Sequence, residues 1–410
     1  MNMQFIHSEQ IKTWISQNLT TNYTRGFFVD VLFSVKKTKK VSVISGLDYS
    51  GQTEIISEIY SRFQALDRLN DLYLVDLSSV YVHEETKIDD FLDKIQTIDN
   101  AFVIINNMNQ QEGTRIWFKQ IAKLAKKQNI TFYLFVNNSG ILYDKIIEHY
   151  NFNHFYLKPF KFSEYLITKE KFSNLDFVDY YEYLNSYSPI LARFSDKSDA
   201  QILFFNQIVN LFRHDVYELF SKKFSIKTCM ELLNIVVYAK IPCFNLNYLS
   251  KELEIDFEEL LEIIRILDKA KILKMIRVIE SDLSKKREPL YFLVFYHPIN
   301  YVIFEHNEHS ISEMMNNTKV LLSAFISATN FQDQIEIVYD YHVSWTEQIA
   351  LIDKHKKRGY ILGINHHEVG PIFNALSWKY QYRVNYLNQN DLVNLIANWE
   401  LKNFKKYQIL

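Results

Sequence analysis

Short apolar runs alternate with helical patterns through the first 165 residues of the chain. The apolar runs are "VSVIS" (41–45), "LYLVDL" (72–77), "AFVIIN" (101–106) and "TFYLFV" (131–136). Helical periodicity predicts helices over 53–66, near 86–97 and over 113–128. Near-continuous hydrophobic strands separated by helices are typical of a parallel sheet that is covered on both faces. The pattern therefore predicts an α/β domain of the doubly wound type over about residues 20–165.

The hydrophobic pattern changes after this region. Residues 170–240 are helical in period, and "AQILFFNQIVNLFRHDVYELF" repeats apolar positions at spacings of three and four. Residues 241–298 combine two helical segments with a two-stranded hairpin, which is the layout of a winged helix. The last hundred residues mix a helical pattern with four short strand patterns, which indicates a further small α/β domain. We predict four regions with the bounds 1–168, 169–240, 241–300 and 301–410.

Composition and charge exclude few classes of function. The 410 residues include 46 basic and 48 acidic side chains, and a formal net charge of −2 gives no general reason to expect a nucleic-acid partner. Two cysteines are too few for a disulfide framework. We find neither a secretory signal nor an apolar stretch of the roughly 18–20 residues that span a bilayer. These features predict a cytoplasmic protein without a membrane partner.

The segment "VSVISGLDYSGQTEIISEIY" (41–60) has the layout of a phosphate-binding loop, G-x-x-x-x-G-K-[ST]. The matching positions are Gly46, Gly51, Gln52 and Thr53. In a working loop the lysine reaches the β and γ phosphates, and the Ser/Thr hydroxyl binds Mg²⁺. Gln52 supplies no positive charge, and Asp48 and Glu54 add negative charge where phosphate would bind. We expect a loop that has kept its shape and lost its charge.

Amides stand at the strand ends where an ATPase needs acids. Asn106 and Asn107 follow the run "AFVIIN", where one or two carboxylates should hold Mg²⁺ and orient water. Asn137 and Asn138 follow the next strand, where a polar sensor and a loop-capping amide are equally good interpretations. The lysine and both acids are thus replaced together, which favours a former ATPase over a chance strand–turn–helix.

The order of these segments, followed by "FYLKPFKFSEYL", resembles the archaeal-type AAA ATPase family of bacteria and archaea. The residues that match the family's motif after the sensor strand are Leu157, Pro159, Phe162, Glu164 and Tyr165. The resemblance implies an AAA-type P-loop domain, a helical region, a winged helix and a restriction-endonuclease-like domain. It also places the family's loop lysine on Gln52 and its acidic pair on Asn106 and Asn107.

The resemblance further implies a nuclease-like site near the C-terminus that lacks its chemistry. Glu347 matches the first acid of the family's pattern. The other three positions are occupied by Ile349, Gly363 and Asn365. A metal-dependent nuclease needs carboxylates for Mg²⁺ and a cation near the scissile phosphate, so we expect no cleavage. Asp353 is predicted to lie past the strand. It would supply the missing carboxylate only if that function had moved to its position in the sequence.

Two short basic segments are candidates for nucleic-acid contact. The residues are Lys285, Lys286 and Arg287 in the predicted wing, and Lys354, Lys356, Lys357 and Arg358 in a later run. Solvated turns explain such runs about as well. The second helix of the predicted winged helix, "DFEELLEIIRILDKAKIL", is acidic at the end that would enter a groove. That end favours a protein-binding or packing role at least as strongly as DNA contact.

Three hypotheses follow. The first is a degenerate ATPase that is silent at both sites and acts as a binding or regulatory scaffold for a protein partner. The second is a protein that binds ATP or ADP, with or without Mg²⁺, and turns it over slowly or not at all. Its binding residues would be Gly46, Gly51, Gln52, Thr53, Asn106, Asn107 and Asn137. The third is an association with duplex DNA through the winged helix. The absence of any cofactor is expected about as strongly as nucleotide binding.

Overall fold

The computed structural model describes most of the chain. The described residues are 4–19, 25–35, 39–47, 50–77, 91, 93–95, 98, 100–108, 113–127, 129–186, 197–239, 242–280, 288–304, 318–329, 335–339, 349–353, 357–362 and 383–407. The chain forms two compact units. Unit 1 comprises Met1–Phe160, Ala192–Phe194 and Ile202–Phe224, and unit 2 comprises Lys161–Leu191, Ser195–Gln201 and Ser225–Leu410. The domain boundaries at 168, 240 and 300 stay predictions.

The strands form one sheet in each unit. In chain order they are β1 Gln4–His7, β2 Val41–Gly46, β3 Leu72–Asp76, β4 Phe102–Asn106, β5 Thr131–Val136, β6 Asn153–Leu157, β7 Cys243–Asn245, β8 Leu273–Glu280, β9 Leu290–Phe295, β10 Ile335–Tyr339, β11 Ile349–Asp353, β12 Arg358–Leu362 and β13 Arg383–Leu387. The sheet of unit 1 has the order β1-β3-β4-β5-β2-β6, and the sheet of unit 2 has the order β13-β12-β11-β10-β8-β9-β7.

The helices cover these sheets. In chain order they are α1 Glu9–Asn18, α2 Gly26–Val35, α3 Gln52–Ala65, α4 Thr114–Lys127, α5 Asp144–His149, α6 Phe162–Thr168, α7 Phe177–Ser186, α8 Lys197–Asn210, α9 Tyr217–Phe220, α10 Ile226–Tyr238, α11 Leu246–Glu252, α12 Phe257–Lys269, α13 Ile299–Phe304, α14 Thr318–Thr329 and α15 Gln389–Tyr407. A 3₁₀ turn, Asn138–Tyr143, follows β5, and a π-helical turn, Leu211–Val216, joins α8 to α9.

Unit 1 is an α/β domain with a parallel sheet, as the sequence predicts. Strands β2 to β6 run parallel, and β1 pairs antiparallel with β3 at one edge. Successive residues of β2 enter different apolar clusters, because side chains alternate along a strand. Val43 packs in the cluster that contains Trp117 of α4, and Ile44 packs in the cluster that contains Ile55 of α3. Helices therefore cover both faces of the sheet.

In unit 2, the region from α10 to β9 contains three helices, one short strand and an antiparallel hairpin. Strand β9 pairs with β7 on one side and with β8 on the other. Strand β8 also pairs in parallel with β10, so one sheet includes strands from both sides of residue 300. One apolar cluster contains Phe292 of β9, Phe325 of α14 and Ile396 of α15. The last strands and α15 thus share a core with the hairpin.

Some local predictions need correction. Ser8 suits an N-cap position before α1, but its side chain makes no capping hydrogen bond, because its backbone lies at φ 52 and ψ −123. Asp353 is the last residue of β11, opposite Arg358, and does not lie past the strand. Strand β1 was missed, because four residues are too few to show a period. Within the predicted helix near 86–97, only Phe91 and residues 93–95 are described, and they are helical.

Candidate functional site

The two loop glycines are required by close packing. Strand β2 ends at Gly46, and Gly51 precedes α3 with a left-handed φ of +85°. A Cβ atom on Gly46 would lie 2.7 Å from the carbonyl oxygen of Leu157, and one on Gly51 would lie 2.8 Å from the ring of Phe160. A side chain at either position would displace backbone or an aromatic ring. The strand–loop–helix geometry therefore depends on both glycines.

The side chain of Gln52 lies inside the protein. It is 6% exposed, and its Nε2 donates long hydrogen bonds of 3.4 Å to the carbonyl oxygens of Gly46 and Val136. These carbonyls end two neighbouring strands, β2 and β5. The position that holds lysine in a working loop is thus occupied by an amide whose donor group contacts backbone oxygens.

The other predicted loop residues have different surroundings. Thr53 is half-buried and Glu54 is buried, and both lie in the first turn of α3. A carboxylate at this end of a helix is favoured by the helix dipole, and it competes with a bound phosphate for the same partial charges. The hydroxyl of Ser50 donates to the carbonyl oxygen of Leu47 at 2.6 Å and closes a turn in the loop. Asp48 lies outside the described residues.

Asn106 and Asn107 donate hydrogen bonds to the carboxylate of Asp76, a residue that no sequence motif identifies. Asp76 ends β3 directly opposite Asn106. Its Oδ1 accepts from Asn107 Nδ2 at 3.1 Å and from Asn106 Nδ2 at 3.4 Å. Its Oδ2 accepts from the indole Nε1 of Trp14 at 2.8 Å. Three N–H groups thus surround one carboxylate, which is 8% exposed. A second carboxylate at either asparagine position would repel it.

The signal for Asp76 was present in the sequence. The residue ends the run "LYLVD", just as Asn106 ends "FVIIN", and strand-end polar residues meet at one edge of a parallel sheet. Asn137 follows β5 at the same edge and is buried. Within the described residues, Asn106 Oδ1 has no hydrogen-bond partner. The structure thus brings the predicted strand-end residues to one edge and adds Asp76.

An arginine lies beside the loop and was also missed. Arg25 is 6% exposed, and its Nη1 donates to the carbonyl oxygen of Lys158 at 3.1 Å. Its guanidinium lies 4.1 Å from the ring centroid of Phe160, which is a cation–π distance. A Cβ atom on Gly51 would lie 3.1 Å from Arg25 Nε. No motif identifies this residue, because it lies 26 positions before Gly51 and immediately before α2.

Ser45, His154 and Asp144 are connected like an acyl-transfer triad. Ser45 Oγ lies 2.7 Å from His154 Nε2, and His154 Nδ1 lies 2.8 Å from Asp144 Oδ1. Ser45 is fully buried, and Gly140 packs directly against its hydroxyl. An acyl group therefore has no access to this oxygen. The three side chains act as a structural link between β2, β6 and α5.

Most of the remaining predicted positions lie outside the described residues. These are Lys285, Lys286, Arg287, Lys354, Lys356, Glu347, Gly363 and Asn365. Lys357 and Arg358 are exposed at the start of β12. Ile349 begins β11 opposite Leu362. Within the described part of the chain, no group of three or more His, Cys, Asp or Glu side chains is placed to hold a metal ion.

The topology of unit 1 defines the class of fold. The strand of the phosphate-type loop, β2, lies inside a parallel sheet between β5 and β6, and β4 and β3 follow beyond β5. This order, with a strand–loop–helix at the start, is that of an AAA-type P-loop ATPase fold. In the described residues, no helix is both long and apolar enough to cross a membrane.

No family model and no curated protein sequence matches the chain. Solved structures with a similar fold include the Walker-type ATPase PABY2304 of Pyrococcus abyssi, with 14% identity and a TM-score of 0.39. That match covers 66% of this chain and 93% of the other. The Aeropyrum pernix ORC1 protein, solved in complex with DNA, has 11% identity and a TM-score of 0.33, and the coverages are 67% and 89%. The Thermotoga maritima RuvB Holliday junction branch migration motor has 11% identity and a TM-score of 0.29, and the coverages are 66% and 89%. At these values the fold assignment depends on the strand order and the loop.

Proposed function

We propose that the protein is a degenerate AAA-type ATPase-like protein that acts as a binding scaffold and does not hydrolyse ATP. One observation carries the proposal. The amides of Asn106 and Asn107 donate to Asp76 where a working site would present acids to a metal ion. Hydrolysis requires oxygen ligands for Mg²⁺ and a group that orients the attacking water. These two amides supply neither.

The residues present do not fit a catalytic Mg²⁺–ATP complex. Asp76 is the carboxylate at this edge, and N–H groups already surround both of its oxygens. Gln52 contributes no charge to offset the phosphates, and its donor group contacts Gly46 and Val136. Glu54 adds a buried carboxyl group, which offers no positive charge, in the same helical turn. No hydrolytic step is therefore assigned to this site.

The test is to restore the missing chemistry and measure phosphate release. The restored variant carries Gln52→Lys, Asn106→Asp and Asn107→Glu, together with Asp76→Asn to avoid opposing carboxylates. We expect background release from the parent protein and a rate above background from the variant. A control adds Thr53→Ala to the variant, which should remove the gain because the hydroxyl is the expected Mg²⁺ ligand. ATP turnover by the parent protein that Thr53→Ala abolishes would overturn the proposal.

Arg25 supports a second candidate, nucleotide binding without turnover. Its guanidinium lies beside Gly51, where it supplies positive charge near the N-terminus of α3 in place of the loop lysine. Calorimetry with ATP and ADP separates the two candidates. Binding that weakens at least about tenfold in Arg25→Gln, a loss of about 1.4 kcal/mol, would support the second candidate. Arg68→Gln is the matched control, because Arg68 is exposed and pairs with Asp71. The absence of heat at millimolar nucleotide removes this candidate.

The winged helix and the nuclease-like region remain part of the proposal. The order from α10 to β9, with β9 between β7 and β8, supports a winged helix. The first turn of α12 carries Glu258 and Glu259, and an acidic end repels phosphate, which supports a protein partner for this helix. The acidic first turn of α12 does not favour the duplex-DNA role predicted for the winged helix. Strands β10 to β13 with α14 and α15 are the candidate nuclease-like core.

A further inference from the structure

Helix α4 presents a row of cations to solvent. Arg115, Lys119, Lys123 and Lys126 are exposed, and their spacings of four, four and three place them on one face. The opposite face is buried in unit 1. It includes Trp117, Phe118, Ile121, Ala122, Leu124 and Ala125. We call the four exposed cations the α4 stripe.

The stripe has a single sign of charge. Helix α4, "TRIWFKQIAKLAKK", contains no Asp or Glu, although the whole chain is slightly acidic. Among the described residues, no ion pair includes any of the four cations. The carboxylate of Glu218 accepts the backbone N–H of Arg115 at 3.1 Å and the hydroxyl of Tyr143 at 2.8 Å. This carboxylate lies at one end of the stripe.

The stability of the helix does not explain the stripe. Like charges four residues apart on a helix repel each other, and the stripe contains two such pairs. Arg115 lies in the first turn, where the helix dipole disfavours a cation. An ordinary solvated face mixes both signs and reduces such repulsion. The arrangement is unfavourable for the isolated fold, and a polyanion would relieve it.

We propose that the α4 stripe binds the phosphate backbone of duplex DNA. The helix rises by roughly 16 Å over the eleven steps from Arg115 to Lys126, at about 1.5 Å per residue. One DNA strand carries a phosphate about every 3.4 Å along the axis, so the stripe spans about five phosphates. Lysine acts as a point charge for phosphate, and the stripe contains three. Binding is therefore independent of sequence.

Other polyanionic partners fit this face less well. Interfacial membrane helices and the cores of protein interfaces typically place apolar side chains beside the charges. Among the described side chains of α4, Ile116 is the large apolar one that is exposed, at 53%. Its Cδ1 would lie 3.2 Å from a Cβ atom on Gly113, so it covers the turn before the helix. The proposal is independent of the nucleotide site and of the winged helix.

The experiment measures the anisotropy of a fluorescein-labelled 30-base-pair duplex of mixed sequence with the full chain. Affinity should fall as salt rises, with a slope of about −3.6 in log K against log salt from four phosphate contacts. The stripe variant carries Arg115→Gln, Lys119→Gln, Lys123→Gln and Lys126→Gln. It should bind at least about 30-fold more weakly at 50 mM salt and lose most of that slope.

A charge-matched control separates the stripe from net charge. It carries Lys12→Gln, Lys145→Gln, Lys227→Gln and Lys269→Gln, four exposed positions elsewhere, and it should bind within about threefold of the parent. Circular dichroism and thermal melting confirm that both variants fold. Absence of duplex binding at 50 mM salt overturns the proposal, as does equal weakening in the two variants. Stripe-dependent binding of a polyglutamate peptide without duplex binding also overturns it and assigns an acidic protein partner.

Discussion

At the scale of single residues, the difference between an amide and a carboxylate determines what the strand ends can do. The side-chain amides of Asn106 and Asn107 each donate a hydrogen bond to the carboxylate of Asp76. An aspartate at the same position has the same shape, accepts hydrogen bonds only, and places a second negative charge in a buried cluster. In this structure, the side-chain amides of Asn106 and Asn107 and the indole of Trp14 stabilise the junction between β3, β4 and α1 through Asp76.

We expect Asn106→Asp to destabilise unit 1 by about 2–3 kcal/mol at pH 8, because a donor is lost and two carboxylates face each other. The neighbouring charge raises the pKa of the introduced carboxyl above its unfolded value. Its unfavourable effect is therefore largest at high pH and shrinks as the pH falls through that raised pKa. Urea unfolding at pH 8 and pH 5 measures the change. Asn151→Asp, at an exposed position, is the control and should change stability by less than about 0.5 kcal/mol. A pH-independent deficit would contradict the charge explanation.

Some of the residues at this site can be predicted from the sequence and others cannot. Gly46, Gly51 and Gln52 were found because a motif fixes their spacing along the chain. Asp76 follows the same strand-end rule as Asn106, and it was missed because no motif calls for an acid there. Arg25 and Trp14 reach the loop and the strand ends only through the folded sheet. Contacts that join residues about 26 and 62 positions apart leave no periodic trace in the sequence.

At the scale of elements, two helices begin after a glycine in the same left-handed conformation. Gly51 precedes α3 with φ +85°, and Gly113 precedes α4 with φ +81°. Their surroundings differ. Gly51 faces the ring of Phe160 at 2.8 Å, whereas Gly113 faces the flexible end of Ile116 at 3.2 Å. Alanine substitutions at these two glycines therefore separate the contribution of backbone conformation to stability from the contribution of packing.

We expect Gly113→Ala to cost about 1 kcal/mol, which is the typical penalty of a left-handed alanine. Gly51→Ala should cost about 3 kcal/mol, because a displaced aromatic ring adds to the same backbone penalty. The free energy of unfolding in urea, measured for both variants and the parent, gives the difference. Equal losses would show that Phe160 moves aside without cost.

Buried strands and the local hairpin were predicted better than the short edge strand and the pairing between distant strands. The parallel strands β2 to β5 were predicted because buried strands are continuous apolar runs. Strand β1 was not, since its four residues pair on one side only. The hairpin β8–β9 was predicted from its two apolar runs, but its parallel pairing with β10 was not. Pairing between distant strands depends on the fold of the chain, which a local window does not contain.

At the scale of the whole molecule, the two units should respond separately to substitutions. Glu400 of α15, in unit 2, is buried and accepts the backbone N–H of Ser163 at 2.8 Å. Burial raises the pKa of Glu400 above its ordinary value, and the charge of Lys161 opposes that shift. Below the pKa that Glu400 has in the unfolded chain, the carboxyl is protonated in both states and the fold keeps its full stability. As the pH rises from there through the raised pKa of the folded state, that stability is lost. Its ionised form is thus unfavourable at high pH.

We expect Glu400→Gln to stabilise unit 2 at pH 8 by about 1 kcal/mol, since a glutamine oxygen accepts the same hydrogen bond without a charge. The gain should disappear near pH 4. Differential scanning calorimetry of the full chain should resolve two transitions, because chains of several units seldom unfold in one step. Glu400→Gln should raise one transition, and Asn106→Asp should lower the other. A single transition that responds to both substitutions would contradict this prediction.

The hydrogen bonds around Asp76 also have an evolutionary consequence. If the proposed loss of activity is correct, a lineage with this network does not regain metal chemistry one substitution at a time, because we expect an acid at position 106 or 107 to meet Asp76 and destabilise the fold first. A sequence of substitutions that avoids this destabilisation begins with the replacement of Asp76, and that replacement by itself brings no activity. Under the proposed loss of ATP hydrolysis, selection for that activity has no first step to favour, so the network would make the proposed loss hard to reverse.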